Sequence, residues 1–376
     1  MKSIMSELST KKVKIAYIIP TLSGGGAERL VVDLATHLPT SLYTVFILIL
    51  KDTAIPAWEE ELAQANIAVV RFHQKFKLDI FCIWRLTHWL NKNHLDILHT
   101  HLFGGDFYGR IAGHLAGVPH IVGTEHNINL AEGYLRRWLK RLTARWAEKT
   151  IAVSKAVLDY VERYEGIRPN QALVIYNGVA LEKFKPSYFL TNANWPHNPK
   201  KIIVGGLGRL EHQKNWSCLL RAAVYLPHNV IIRIAGVGRE KKGLEQLICA
   251  LGLEKRVELV NWQASTDFLK SIDIFVLPSW WEGLPVALLE AGAVGLPVIV
   301  SDIPSNREII SDTNLGLWFD PNHPEELAEK IQSVLADPKL ALKMAVNLHK
   351  LVEMQFSLDF MIERYCEVYA DLLNKQ

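Results

Sequence analysis

What most constrains this chain is an end-to-end alternation of short β-branched runs with amphipathic stretches. In the first half the runs occupy 13–19, 43–50, 67–71, 95–99, 120–123, 150–153 and 172–175. Helix-like segments such as 27–38, 80–93 and 104–116 separate them. A strand covered on both faces reads as a continuous apolar run, because its upward and downward side chains both meet helices. Neighbouring parallel strands need a crossover, and a helix supplies it. The pattern predicts a doubly wound α/β domain.

The alternation loosens at 183–200, where Pro186, Pro196, Pro199 and several asparagines occur without periodicity. That stretch reads as a linker. A second series follows at 201–206, 230–235, 257–260, 272–277 and 297–300, with helical stretches between and after. A length of 376 residues suits two domains of ordinary size. The expectation is α/β, with two Rossmann-like doubly wound domains facing across a cleft, one over 1–182 and one over 201–376. The last helix, about 357–376, is expected to pack back on the N-terminal domain. Ligands of such sheets bind beyond the carboxyl ends of the strands, so the βα loops carry the chemistry.

Composition removes other classes. Hydrophobic residues make up 49% and charged residues 22%, too apolar for a disordered chain. No run of 18 apolar residues exists to span a bilayer, and the polar, mixed-charge start at 1–14 predicts no secretory leader. Cys82, Cys218, Cys249 and Cys366 are scattered without a CxxC pair, which suits a reducing cytoplasm. Residues 1–180 carry 21 basic and 16 acidic side chains, residues 181–376 carry 21 and 23. The excess points to an anionic partner for the first half and is too small to imply nucleic acid.

Two loops stand out. Thr21-Leu22-Ser23-Gly24-Gly25-Gly26 precedes a helix opening Ala27-Glu28-Arg29, so bare backbone meets a helix N-terminus, a place for phosphate or another oxygen-rich group. The dinucleotide fingerprint fails here and at Gly206-Leu207-Gly208 and Gly236-Val237-Gly238, since Arg29, Glu211 and Lys241 stand where its last glycine is required, and no Walker lysine follows. The second loop is Pro278-Ser279-Trp280-Trp281-Glu282-Gly283-Leu284-Pro285, continuing through Val286 to Glu290 and Ala291. Pro285 suits a first helical turn. Glu282 then lies before the helix and Glu290 inside it, able to hold two ends of one extended ligand with the helix N-terminus between them.

With these residues the chain resembles the retaining, nucleotide-sugar-dependent GT-B glycosyltransferases of family 4 (group 1). The resemblance covers nearly the whole chain: Gly24 to Arg29, Thr124-Glu125-His126-Asn127, Asn177-Gly178-Val179, Gly208-Arg209-Leu210 with Lys214, and the two-glutamate stretch. It implies that the first domain binds the acceptor and the second the nucleotide-sugar. It implies further that Glu290 binds ribose hydroxyls, Glu282 hydroxyls of the transferred sugar, and Arg209 and Lys214 the diphosphate, with backbone N–H groups of Gly283 and Leu284. Gly25 and Gly26 would let the first domain approach the donor phosphate, and His126 would sit beside sugar and acceptor. Two departures stand out: 304–308 lacks the usual glycines, and Gly292 replaces a larger residue.

The chemistry agrees. Glycosyl transfer expels a nucleoside diphosphate whose growing charge needs a metal or preorganised cations. No Asp-x-Asp pair is present, whereas Arg209, Lys214 and a helix N-terminus are, so metal-independent transfer without a cofactor is expected. His99 and His101 share one strand face and read as a metal pair or, better, as satisfied or cleft-lining side chains. Trp280 and Trp281 suit stacking on a base or sugar as well as ordinary packing. The segment 134–149 places Leu135, Trp138, Leu139, Leu142 and Trp146 on one face, ringed by Arg136, Arg137, Lys140, Arg141 and Arg145. It reads either as a helix lying on an anionic membrane or as a core-facing helix with a solvated basic back.

The resulting expectation is a cytoplasmic enzyme, peripheral at the inner face of the cell membrane. It moves a hexose or N-acetylhexosamine from a UDP- or GDP-sugar to a glycan or lipid-linked acceptor, with retention, in cell-surface polysaccharide or lipopolysaccharide synthesis. The alternatives are a GT-B nucleotide-sugar epimerase or hydrolase, and a non-catalytic sugar-binding subunit.

Overall fold

The computed structural model describes residues 12–76, 78–128, 133–184, 195–196, 198–261 and 263–374. Most of the expected linker, 185–194 and 197, lies outside the described residues. The chain divides into two compact units, Met1–Tyr176 with Met361–Gln376, and Asn177–Phe360.

In the first unit the strands are β1 (Val13–Ile19), β2 (Tyr43–Ile49), β3 (Ala68–Arg71), β4 (Ile97–His101), β5 (His120–Glu125), β6 (Lys149–Ala152) and β7 (Ala172–Val174). They pair in parallel in the order β3-β2-β1-β4-β5-β6-β7. Between them run α1 (Gly26–His37), α2 (Pro56–Gln64), α3 (Ile80–Asn93), α4 (Leu102–Leu115), α5 (Tyr134–Ala144) and α6 (Lys155–Tyr160). The order reverses between β1 and β4, so right-handed crossovers put α1 and α2 on one face and α3 to α6 on the other. Alternation along β1 serves both layers. Ile18 turns toward α4, where the glycines at 105, 109 and 113, one per turn, bring the helix onto the sheet. A Cβ at Gly109 would lie 2.8 Å from Ile18 Cγ2 and 2.9 Å from Thr100 Cγ2.

The second unit has β8 (Ile202–Leu207), β9 (Val230–Ala235), β10 (Val257–Val260), β11 (Ile274–Leu277), β12 (Val298–Ser301) and β13 (Leu317–Phe319), in the order β10-β9-β8-β11-β12-β13. Its helices are α7 (Trp216–Ala222), α8 (Lys241–Ala250), α9 (Ser265–Lys270), α10 (Val286–Val294), α11 (Pro304–Ile309), α12 (Pro324–Ala336) and α13 (Pro338–Gln355). Its switch point falls between β8 and β11, and the loops leaving those two strands hold Arg209, Lys214 and Glu282. The final helix, α14 (Leu358–Leu373), starts in the second unit and continues into the first. There Tyr365 and Tyr369 are fully buried.

Candidate active site

In the second unit the cluster is built around Glu282, whose exposure is only 6%. Its Oε1 accepts from Lys214 Nζ and from Ser279 Oγ, each at 2.6 Å. Gln213 Nε2 lies 3.5 Å from Oε2 and donates to the Trp281 carbonyl at 2.8 Å. A buried carboxylate is tolerated when paired and hydrogen-bonded in this way. Arg209 is exposed, with NH2 3.5 Å from Gln213 Oε1. The buried Trp216 indole donates to the Arg209 carbonyl at 3.0 Å and fixes the loop. A Cβ at Gly208 would sit 3.1 Å from Lys214 Cε, so glycine there leaves the lysine stem its path toward Glu282.

Behind Ser279 stands a second hydrogen-bonded step. Ser301 Oγ donates to the Ser279 carbonyl at 2.6 Å, and the buried Asn306 amide donates to the Ser301 carbonyl at 2.9 Å. The 304–308 segment without glycines thus supplies a side chain that braces the Glu282 loop. Gly292 faces elsewhere: its Cβ would meet Val352 Cγ2 at 2.8 Å and Leu348 Cγ at 2.9 Å, so it serves the close packing of α13 on α10.

Pro285 caps α10 and precedes its first helical residue, one position earlier than the first-turn placement expected. No side chain caps this end, so the first N–H groups of α10 stay available to an anion. Gly283 and Leu284 are buried just before it, and the Leu284 carbonyl accepts from Asn177 Nδ2 at 3.2 Å. Glu290 is half-buried, and its Oε1 accepts from Ser265 Oγ, at the start of α9, at 3.1 Å. The structure therefore unites Arg209, Lys214 and Glu282 through Gln213. Sequence reasoning passed over Gln213, Ser265 and Ser279 as functional side chains. Ser279 lay inside the motif, three positions before Glu282, and Gln213 adjoined Lys214; the partners of Gln213 at Trp281 and Glu282, 68 and 69 positions away, carried no local signal.

In the first unit the candidates are His126 and the glycine loop. His101 Nδ1 and His126 Nε2 are 3.0 Å apart at the ends of β4 and β5. His99 is satisfied on both nitrogens, by the Tyr369 hydroxyl at 2.7 Å and the Thr124 hydroxyl at 2.8 Å. Among the described residues no group of three or more His, Cys, Asp or Glu is placed to hold a metal ion. Burial pushes the His126 imidazole down to about 4; the Glu125 charge opposes this and the Lys140 charge assists it. His101 Nε2 is buried without a partner. Either nitrogen of the pair can be the donor; with the proton on His101 Nδ1, His126 accepts at Nε2 and its neutral ring carries its own proton on Nδ1.

At the first glycine loop, Gly25 is the N-cap of α1 and Gly26 its first residue. The Glu28 carboxylate folds back over them, so close that a Cβ at Gly25 would collide with it. It accepts from Ser23 Oγ at 3.3 Å and Thr21 Oγ1 at 3.4 Å. The helix N-terminus expected to meet phosphate thus already faces a carboxylate of its own chain.

The basic helix departs from the core-facing reading. Its buried side chains are Lys140, Thr143 and Ala144, whereas Tyr134, Leu135 and Trp138 are 91%, 68% and 55% exposed. The apolar face is thus exposed at the helix start, whereas Leu139, Leu142 and Trp146 are half-buried, and Lys140 is no part of a solvated back. Lys140 Nζ sits 2.9 Å from Glu125 Oε2 and 2.6 Å from Glu165 Oε1. These acids lie 15 and 25 positions away, which is why periodicity alone did not set Lys140 apart from the other basic residues. Burial raises Glu165 to about 8, while Glu125, despite its burial, is held below its ordinary value by Lys140 and Arg110.

Two family models match the chain. The model for glycosyl transferases group 1 matches residues 190–350, and that for Glycosyltransferase Family 4 matches 24–183. An Escherichia coli UDP-Gal:alpha-D-GlcNAc-diphosphoundecaprenol alpha-1,3-galactosyltransferase is 27% identical over 96% of this chain and 98% of its own length. A Campylobacter jejuni N,N'-diacetylbacillosaminyl-diphospho-undecaprenol alpha-1,3-N-acetylgalactosaminyltransferase is 28% identical over 74% of this chain and 78% of its own. Among solved structures, Anabaena HepE in complex with UDP and glucose superposes with a TM-score of 0.85 at 21% identity, over 96% of this chain and all of that one. The chain belongs to the group 1 glycosyltransferases and has their two-domain GT-B fold.

Proposed function

We propose that the protein transfers a hexose or N-acetylhexosamine, with retention and without a metal, from a UDP-sugar to a lipid-linked glycan acceptor in cell-surface polysaccharide synthesis. The carrying observation is the pairing of Lys214 with buried Glu282 beside Arg209 and the uncapped start of α10. The named activities of the E. coli and C. jejuni relatives support a lipid-linked acceptor, and the HepE complex and the E. coli relative favour UDP over GDP.

In this reading Lys214, Arg209 and the N–H groups of Gly283 and Leu284 receive the diphosphate, and Glu290 the ribose. Glu282 Oε1 is committed to Lys214 and Ser279, so Oε2 is the oxygen left for sugar hydroxyls. The same pair locks Lys214 in place before reaction, so no reorganisation is needed as charge grows on the leaving oxygen. The acceptor hydroxyl attacks C1 on the face from which the diphosphate departs. The C1–O electron pair leaves with the diphosphate, and the hydroxyl proton passes to a diphosphate oxygen. Glu282, buried and salt-bridged, is no free nucleophile, which favours this front-face course over a covalent intermediate. The first unit serves the acceptor, with His126 as a neutral donor, and close approach of the Gly25–Gly26 backbone to the donor phosphate requires the Glu28 carboxylate to swing away. The segment 134–149 contributes attraction to an anionic membrane from the cytoplasmic side.

The test is acceptor-dependent product formation from UDP-sugars in excess EDTA, with the product anomer read by NMR. Retained configuration and EDTA resistance are expected. Inversion, loss of turnover restored by Mg²⁺, or sugar release without acceptor would overturn the reading.

A further inference from the structure

The first unit exposes more apolar surface than α5 alone. Phe76, Leu78, Ile80, Phe81 and Trp84, in the loop before α3 and its first turns, are between 68% and 75% exposed. Cys82, Leu86 and Leu90 form the buried stripe of α3, so Ile80 and Trp84 point away from the sheet. Farther along, the outward positions turn polar, with His88, Asn91 and Lys92. The apolar surface is therefore confined to the helix start, at the carboxyl edge of the sheet where ligands approach. Tyr134, Leu135 and Trp138 occupy the corresponding start of α5.

These two patches are joined across α4. The Arg136 guanidinium lies 4.3 Å over the Phe103 ring, Phe103 stacks on Phe107 at 6.1 Å, and Phe107 meets Tyr108 edge-on at 5.3 Å. The Tyr108 hydroxyl accepts from the Asp79 N–H at 2.8 Å, immediately before α3. Charge selects what this rim can meet. Across α3, α4 and α5 the sole acidic residue is Asp106, fully buried against Arg110. Exposed Lys75 and Arg136 flank the apolar side chains in sequence, His88 stacks on Trp84 at 5.9 Å, and Lys92 and Arg141 are exposed farther along α3 and α5. A second copy docked face to face would oppose like charges, whereas an anionic bilayer offers both phosphates and an apolar interior.

We propose that the starts of α3 and α5, with Phe76 and Leu78, form one bilayer-docking rim in which α3 inserts apolar side chains and α5 supplies charge. The proposal rests on the membrane reading of 134–149 given above and adds to it an insertion element, α3. A lipid-linked acceptor would then be met at the edge of the sheet that faces its membrane.

The test is flotation of the full chain with phosphatidylglycerol/phosphatidylcholine vesicles and with pure phosphatidylcholine, at low and high salt. Wild type is expected to float with the anionic vesicles and to keep part of that binding at high salt. Phe81→Ser/Trp84→Ser should lower partitioning about tenfold or more and remove the salt-resistant part. Arg136→Gln should weaken binding about fivefold and only to anionic vesicles. Tyr225→Ser, an exposed aromatic of the second unit, should change nothing, and the exposed positions leave the thermal midpoint intact. If the α3 double variant floats like wild type while Arg136→Gln does not, the insertion element is wrong and the α5 reading stands. If wild type floats with neither vesicle, both are wrong. Concentration-dependent dimerisation abolished by the α3 variant, without vesicle binding, would make the rim a self-interface and overturn the proposal.

Discussion

Two lysines in this molecule are each held by a buried carboxylate, and their surroundings differ in a way that separates structure from chemistry. Lys140 is enclosed between Glu125 and Glu165, with all three side chains 4% exposed or less. Every lone pair it can reach belongs to the fold. Lys214 has one carboxylate partner, a side-chain exposure of 13%, and an exposed arginine on the same loop. One lysine neutralises acids; the other is kept oriented with donor capacity to spare. A buried ion pair alone is thus a poor guide to function, and the unsaturated pair is the informative one.

The contrast can be broken most forcefully at Lys140. Lys140→Met leaves the buried Glu125 carboxylate without its lysine, beside a protonated Glu165, and should cost about 3–5 kcal/mol of stability in urea unfolding. Lys214→Met should cost less, about 1–3 kcal/mol, because Ser279 and Gln213 remain with Glu282. Equal losses would show that both pairs are structural.

A second effect comes from His126, whose folded value near 4 lies below the ordinary imidazole value. As pH falls from about 6.5 to 4, the unfolded chain takes up a proton that the folded chain refuses, so stability drops by up to about 3 kcal/mol from this residue. Glu165 and Asp106 pull the other way, since the folded chain retains their protons to about pH 8 and 7. The direct readout is therefore an NMR titration of His126, expected near 4, with the neutral ring protonated on Nδ1. A midpoint near 6.5, or an Nε2–H ring in the neutral form, contradicts the proposed donor role.

The smallest effect concerns Glu290, held toward α9 by Ser265. Glu290→Gln should weaken UDP binding by about 1.5–3 kcal/mol in calorimetry. Unchanged affinity removes it from the ribose site.

Much of the scaffold was legible because parallel buried strands leave unbroken apolar runs: β1 and β9 begin and end where their runs do. β13 was missed, being three residues long and set after Gly316 without a run of its own. At the site, Arg209, Lys214 and Glu282 were legible from motif and loop position, and the structure joins them. What sequence could not show was which partner each charge meets. Lys140 sat among arginines in the basic ring around the apolar face of its helix, and only the fold brings Glu125 and Glu165 to it. Glu28 likewise read as the first turn of a phosphate-binding helix, until its carboxylate was found over Gly25.

The central claim is that Lys214 and Arg209 stabilise the departing diphosphate more than the bound donor. Steady-state kinetics of Lys214→Ala and Arg209→Ala, with acceptor saturating and UDP-sugar varied, tests it directly. Removing one preorganised charge should lower kcat by about 10²–10³, with a smaller rise in donor KM. An unchanged kcat with only KM raised would mean uniform binding of donor and transition state, and the electrostatic account would fail.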